Sequence, residues 1–201
     1  MIDYQITDVA DHSVMKLDIL DLISNMPSKE LKTNGFHGNY ESIISNTNWD
    51  DHLTVRGDVW PYFLTPNDQI NYFNSLISKF PDRKWNRKVV DISWFNQYYA
   101  NSGSEHPWHH HAKSVCEPYR KGWCKDFTNI YYVELDDKSL TTILKDPDTD
   151  EEIIPDVKEG QILSFATDIL HKSPRNFTES RKTVIAFNLI FKLCVFILMF
   201  N

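Results

Sequence analysis

The sequence predicts a mainly β fold, an antiparallel sandwich or barrel, with helices before it. From Lys88 onward, segments rich in β-branched and aromatic residues alternate with turn-forming residues. These segments are 88–100, 128–135, 140–144, 161–165 and 181–191. Several short strands at this spacing are typical of a sandwich or barrel and not of a parallel α/β sheet.

The first 85 residues have helical or irregular patterns. Asp11 is a candidate cap for a helix to about Met26, which Pro27 ends, and a second helix begins at Pro66 and ends before Pro81. Apolar residues recur at helical spacing in both: Met15, Ile19, Leu22, Ile23 and Met26, then Ile70, Phe73, Leu76, Ile77 and Phe80. We expect both helices to pack outside the β structure.

The chain of 201 residues fits one domain. We divide it into a helical N-terminal elaboration (1–87), a β core (88–191) and an apolar tail (192–201). The apolar run from Leu189 to Phe200 is shorter than the roughly 20 residues that a membrane-spanning helix needs. We therefore interpret it as a buried final strand.

Charge and cysteine content narrow the class of protein. A net charge of -7 argues against a protein that clamps duplex DNA, and no clear nucleic-acid patch is seen. The 3 cysteines form no CxxC pair, which favours reduced thiols in a cytoplasm, that of the host cell if a virus encodes the chain. The N-terminus lacks the pattern of a secretory signal. Nothing in the sequence predicts the oligomeric state.

The segment from Pro107 to His111 contains three consecutive histidines. In an extended chain, His109 and His111 point to one side and His110 to the other. Two imidazoles on one face form half of a site for iron, zinc, copper or nickel. A solvated surface patch is the alternative interpretation.

Two later residues extend this pattern. His171 follows a glycine turn and an apolar strand, although alone it would be read as a core histidine. Arg181 opens the last aromatic strand and shares a face with Thr183, and a guanidinium beside a hydroxyl is suited to binding a carboxylate. From the residue alone, a surface salt bridge is the other interpretation of Arg181.

The order of these motifs resembles the 2-oxoglutarate/Fe(II)-dependent oxygenases, and most of all a small group from marine bacteria and their phages. The matching stretches are WHHHAKS, TNIYYVEL, VKEGQILSFATDILHKSPRN and RKTVIAFNLIF. The resemblance implies a double-stranded β-helix, a cupin-like jelly roll, over residues 88–191. It implies a hydroxylase that uses Fe(II), O2 and 2-oxoglutarate, releases succinate and acts on a small-molecule or peptidyl substrate.

The resemblance also implies roles for single residues. His109 and His171 match the first and distal metal ligands. Arg181 matches the base that pairs with the far carboxylate of 2-oxoglutarate, and Thr183 the hydroxyl that assists it. Further residues expected to reach the cosubstrate are tyrosines: Tyr98 or Tyr99, and Tyr131.

The second ligand departs from the pattern of the superfamily. An Asp or Glu is usual there, whereas this sequence has His111. Three neutral imidazoles leave the metal one unit more positive than two histidines and a carboxylate. We keep His111 as the ligand, with Glu105 or Glu117 as alternatives.

Two other functions are weighed against the oxygenase. One is a cupin-type dioxygenase with three histidines that does not use 2-oxoglutarate, from which Arg181 and Thr183 would distinguish the chain. The other is a non-catalytic jelly-roll binding or virion protein, which would bind no iron with useful affinity. Residues 114–127 are left open between a substrate lid and a surface loop.

Overall fold

A computed structural model describes residues 2–25, 29–34, 41–47, 64–80, 88–111 and 123–192. The helices are α1 (His12–Asn25) and α2 (Pro66–Lys79). The strands are β1 (Tyr4–Asp8), β2 (Lys29–Asn34), β3 (Glu41–Thr47), β4 (Lys88–Tyr98), β5 (His106–His109), β6 (Trp123–Leu135), β7 (Ile143–Lys145), β8 (Glu152–Ile153), β9 (Gln161–Ala166), β10 (His171–Ser173) and β11 (Lys182–Lys192).

Two antiparallel sheets form the body of the protein. The larger has seven strands in the order β1-β9-β6-β11-β4-β3-β2, and the smaller has four in the order β5-β10-β7-β8. The long strands β4, β6 and β11 lie side by side in the larger sheet, with β11 between the other two. The predicted mainly β fold with two helices is confirmed.

Both faces of the sheet formed by β9, β6, β11 and β4 contribute described side chains to the core, each to its own apolar cluster. On one face Phe95, Ile185 and Phe187 pack with Ile23 of α1 and Leu76 of α2. The opposite face contributes Leu163, Phe165 and Val184 to a second cluster. That cluster also includes Leu144 of the smaller sheet and Ile169, just before β10. The two helices therefore cover one face, and the other turns toward the smaller sheet.

The helices lie where the sequence predicts them, and α2 shows why it starts at Pro66. The Thr65 hydroxyl accepts a hydrogen bond of 3.2 Å from the backbone N–H of Asp68, which caps the helix. The buried Asp68 carboxylate in turn accepts a bond of 2.7 Å from the N–H of Ala10, just before α1. The start of α2 is thereby hydrogen-bonded to the segment just before α1.

The N-terminal part is not purely helical, which corrects the expectation for residues 1–87. Three of its segments form β1, β2 and β3, and all three belong to the larger sheet. β1 pairs with β9 in the register Tyr4↔Phe165. Short strands such as KELKTN lack an apolar alternation, so nothing in their sequence predicts a strand.

Smaller differences concern two other segments. The predicted strand 140–144 is a 3₁₀ turn over Lys138–Leu140 followed by β7. The last strand, β11, continues to Lys192, and residues 193–201 lie outside the described residues. Of the segment 114–127, residues 123–127 belong to β6 and the remainder is outside the described part of the chain. Neither described helix is long and apolar enough to span a membrane.

The turn before β9 depends on Gly160, which has a φ of +80°. A Cβ there would lie 2.9 Å from Cδ2 of His12, whose ring is held 2.7 Å from the Tyr131 hydroxyl. We expect Gly160→Ala to lower the free energy of unfolding by about 2–3 kcal/mol, since it adds a clash to left-handed backbone strain. Urea unfolding measures this loss.

Gly103→Ala is the matched control, because Gly103 also has a positive φ, +67°. Its Cβ would meet the Phe177 ring at 3.1 Å, but that side chain is 67% exposed and free to move aside. We expect only the backbone cost of about 1–2 kcal/mol. Equal losses for both variants would contradict the packing of His12 on Gly160.

Candidate active site

Three histidines meet where the smaller sheet faces the larger one. His109 ends β5, His171 begins β10, and the two are direct partners in the pairing of these strands. His111 lies just beyond the end of β5, where its backbone N–H donates a 2.9 Å hydrogen bond to the carbonyl of Thr167. One nitrogen from each ring lies within 4.8 Å of the others.

Hydrogen bonds determine which nitrogen each ring presents. Nδ1 of His109 lies 2.8 Å from the Pro107 carbonyl oxygen, and Nδ1 of His171 lies 3.0 Å from that of Ile169. A carbonyl only accepts, so Nδ1 carries the hydrogen and Nε2 keeps its lone pair in both rings. For His111, Nδ1 lies 2.8 Å from Oδ1 of Asn188.

The environment favours the neutral form of His109 and His171, and the neutral imidazole is the form that binds a metal. Burial lowers the pKa of His109 to about 4. Burial, and then the neighbouring imidazoles, hold the pKa of His171 well below its usual value. A fourth ring, His106, stacks on His109 with centroids 3.8 Å apart, and burial lowers its pKa in the same way.

The set of donors fits a transition metal such as Fe(II), for which imidazole is a suitable ligand. His110 is not part of the cluster. The Glu105 carboxylate forms an ion pair of 2.9 Å with Arg175 and is also not part of it. Glu117 lies outside the described residues.

A pocket extends from the histidines along the buried face of the larger sheet. Side chains of β4 and β11 that alternate along their strands line one wall: Trp94, Asn96, Tyr98, Lys182, Val184 and Ala186. Trp94 lies near the histidine end, with its ring centroid 5.4 Å from that of His111. Tyr98 lies at the other end, near Lys182.

Lys182 is the functional candidate that the sequence reasoning missed. Its side chain is 1% exposed, and Nζ donates hydrogen bonds to the Leu140 carbonyl (2.7 Å) and the Ser173 hydroxyl (2.8 Å). Within the described residues no carboxylate pairs with it. Burial lowers its pKa to about 7. A buried amine without a counter-ion suits an anionic ligand.

Arg181 and Thr183 do not lie in this pocket, which corrects their predicted position. Arg181 is exposed and donates two hydrogen bonds of 2.8 Å to the carboxylate of Glu134. The Thr183 hydroxyl donates to the same carboxylate. The period-two rule placed these residues together correctly, but on the opposite face of β11 from Lys182.

Of the predicted tyrosines, one lines the pocket and two do not. Tyr131 faces the helices, where its hydroxyl contacts His12. Tyr99 is partly exposed and is not among the residues that line the pocket. Tyr98 lines the pocket, and its ring centroid lies 5.1 Å from Nζ of Lys182. Of the predicted cosubstrate residues, only Tyr98 therefore has access to the pocket.

No family model matches the chain, and no curated protein matches it in sequence. Solved structures do resemble it. SnoN, a non-haem α-ketoglutarate-dependent epimerase from nogalamycin biosynthesis, superposes with a TM-score of 0.60 and 9% identity over 95% of this chain and 79% of its own. A collagen prolyl hydroxylase of Paramecium bursaria Chlorella virus-1, solved with 2-oxoglutarate, superposes with a TM-score of 0.53. It is 11% identical over 94% of this chain and 96% of its own.

A 2-oxoglutarate/Fe(II) oxygenase family member from Burkholderia pseudomallei gives a TM-score of 0.51 and 11% identity, over 86% of this chain and 78% of its own. At such low identity these similarities establish the fold and not the activity. The chain therefore has the fold of the 2-oxoglutarate/Fe(II) oxygenases, the superfamily that its sequence motifs resemble.

Proposed function

We propose that the chain is an Fe(II)- and 2-oxoglutarate-dependent oxygenase, and that its two sheets form a double-stranded β-helix as a single domain. The observation that carries this proposal is the combination of two features in one pocket. Three imidazoles converge at one end. A buried amine, with which no carboxylate of the described residues pairs, lies toward the other.

His109, His111 and His171 would hold the metal. When bound, Fe(II) supplies the redox chemistry that couples O2 reduction and decarboxylation of 2-oxoglutarate to hydroxylation of a substrate. Three neutral ligands leave the full charge of the dication uncompensated, so the site favours an anionic cosubstrate such as 2-oxoglutarate. Ligands from three histidines alone would leave further positions on a bound metal for the cosubstrate and O2.

Lys182, Ser173 and Tyr98 would hold the far carboxylate of 2-oxoglutarate. Ser173 lies two residues after His171 on β10, which is about 7 Å at the usual strand rise. That separation suits a short dicarboxylate whose one end lies at the metal and whose other end meets Lys182. The Ser173 hydroxyl already accepts a bond from Lys182 Nζ and so orients the amine.

The substrate is proposed at the level of its class, a small molecule or a peptidyl side chain. The similar structures include both an epimerase of antibiotic biosynthesis and a collagen prolyl hydroxylase. A cytoplasmic location, and membership of the marine bacterial and phage group, remain proposals that rest on the cysteine content and the sequence motifs.

The metal site predicts unequal effects of the neighbouring histidines. We expect His109→Ala and His171→Ala each to abolish tight binding of Fe(II), because each removes a ligand from the cluster. His110→Ala should bind iron like the wild type. Anaerobic loading followed by metal analysis gives the result, and equal losses from all three variants would indicate a non-specific histidine patch.

The cosubstrate site predicts that Lys182, and not Arg181, binds 2-oxoglutarate. We expect Lys182→Met to weaken binding roughly thirtyfold or more, because removing one partner of a buried charge pair costs about 2–5 kcal/mol. Met keeps the volume of the side chain, and circular dichroism checks that the variant folds. The measurement is calorimetric titration of the metal-loaded, oxygen-free protein.

Arg181→Met is the matched control and should bind 2-oxoglutarate like the wild type, since Arg181 is exposed and paired with Glu134. A large loss from Arg181→Met with none from Lys182→Met would reverse the assignment. If the metal-loaded wild type binds no 2-oxoglutarate at all, the three-histidine cupin becomes the better interpretation.

Binding should also depend on pH in a definite direction. Burial lowers the pKa of the free Lys182 amine to about 7, and a bound carboxylate would raise it again. Of the titratable groups that face it, burial raises the pKa of Tyr98 and Tyr132 and lowers that of His106, so all three are neutral near pH 8.

We therefore expect 2-oxoglutarate binding near pH 8 to take up about one proton, and affinity to fall about tenfold per pH unit above the pKa of the free amine. Calorimetry in buffers of different ionisation enthalpy counts the protons. Proton release, or an affinity that rises between pH 7 and 9, would contradict a role for Lys182 as the anion-binding group.

A further inference from the structure

We infer that Asn188 is a positioning residue that selects the tautomer of His111 and so makes this third histidine a metal ligand. The inference rests on the proposed function and deepens it. It concerns the departure of this chain from the usual carboxylate at the second ligand position. The evidence is the hydrogen-bond partner of Nδ1 in each ring, a nearby carbonyl for His109 and His171 and the Asn188 side chain for His111.

Two of the three rings are held by nearby backbone carbonyls. The Nδ1 atoms of His109 and His171 meet the carbonyl oxygens of Pro107 and Ile169, each two residues earlier in the chain. This local contact determines the tautomer without help from elsewhere. His111 lies past the end of β5, and its Nδ1 meets a side chain of the larger sheet.

The contact of His111 comes from the larger sheet instead. Oδ1 of Asn188, which is 2% exposed on β11, lies 2.8 Å from Nδ1 of His111. Thr128, the cross-strand partner of Asn188 on β6, has its hydroxyl 3.3 Å from the same Oδ1 and 3.1 Å from Nδ1. Two buried residues from neighbouring central strands thus converge on the His111 ring.

The chemistry of the amide decides what this contact does. An amide oxygen has two lone pairs, so Asn188 can accept from both the His111 ring and the Thr128 hydroxyl. Nδ1 of His111 then carries the hydrogen, and Nε2 keeps the lone pair that a metal needs. The reversed amide would donate to Nδ1, move the hydrogen to Nε2 and remove His111 as a ligand.

The test compares two replacements of similar size. Aspartate can only accept a hydrogen bond, whereas leucine can neither accept nor donate. We expect Asn188→Leu to weaken Co(II) binding about 10- to 100-fold, the usual effect of removing a residue that orients a histidine ligand. Asn188→Asp should bind Co(II) at least as tightly as the wild type. Anaerobic titration with Co(II) as the probe gives both affinities.

A spectroscopic signature separates orientation from a general loss of stability. In the Co(II)-loaded protein, each coordinated histidine should give one paramagnetically shifted, exchangeable Nδ1–H proton resonance. We expect one for each of the three histidines in the wild type and in Asn188→Asp. In Asn188→Leu the resonance of His111 should be lost while those of His109 and His171 remain. Thr128→Val, which leaves the acceptor in place, should keep its Co(II) affinity within a few-fold.

The outcomes separate this inference from the proposed function. Asn188→Leu with wild-type affinity and an unchanged set of resonances would overturn the role of Asn188 and leave the oxygenase proposal intact. Loss of the His111 resonance in Asn188→Asp would also overturn the role of Asn188. This second result can be obtained even if the leucine variant does not fold. A loss in Thr128→Val as large as in Asn188→Leu would also overturn it. If His109→Ala binds Co(II) like the wild type, the metal site itself is contradicted.

Discussion

The central strands of the larger sheet are buried on both faces. The face to which a side chain points therefore decides whether it packs against the helices or lines the pocket. Alternate residues of β4, β6 and β11 face either the two helices or the pocket. The helix face is filled by large apolar side chains such as Phe95, Ile185 and Phe187. The pocket face carries smaller and polar side chains among its apolar ones, and this leaves space beside the histidines.

Several polar groups on the pocket face have specific hydrogen-bond partners, which offset the cost of burying them. The Lys182 amine donates to a carbonyl and to a hydroxyl, and Asn188 and Thr128 contact each other and His111. No carboxylate is among the described residues that line the pocket, so the lining carries no fixed negative charge. A metal dication and a dianionic cosubstrate would therefore neutralise each other there.

The sequence predicted the elements and the three histidines better than it predicted the cosubstrate residues. His109 and His171 lie at strand positions that follow from local pattern, and the HxH motif was visible without any tertiary information. Assigning Arg181 and not Lys182 to the pocket is an error of one residue, which in a strand reverses the face. The sequence does indicate the correct face. Ile185 and Phe187 lie an even number of residues after Arg181, so all three share a face, and large apolar side chains favour the face that packs against the helices.

Other features required the folded chain. Asn188 and His111 are far apart in sequence, and only the packing of the two sheets brings them to 2.8 Å. The strands β2 and β3 have too little apolar alternation to be predicted alone, and they form by extending a sheet whose centre is built from β4, β6, β9 and β11. Local pattern thus identifies the metal-binding motif, whereas tertiary pairing decides which residues surround it.

The most direct test of this account is a crystal structure of the protein with Mn(II) in place of Fe(II) and with 2-oxoglutarate, in the absence of oxygen. The account predicts one metal ion bound by His109, His111 and His171, and the far carboxylate of 2-oxoglutarate within about 3 Å of Lys182 Nζ. A carboxylate bound at Arg181, or a metal ion bound without these histidines, would contradict it.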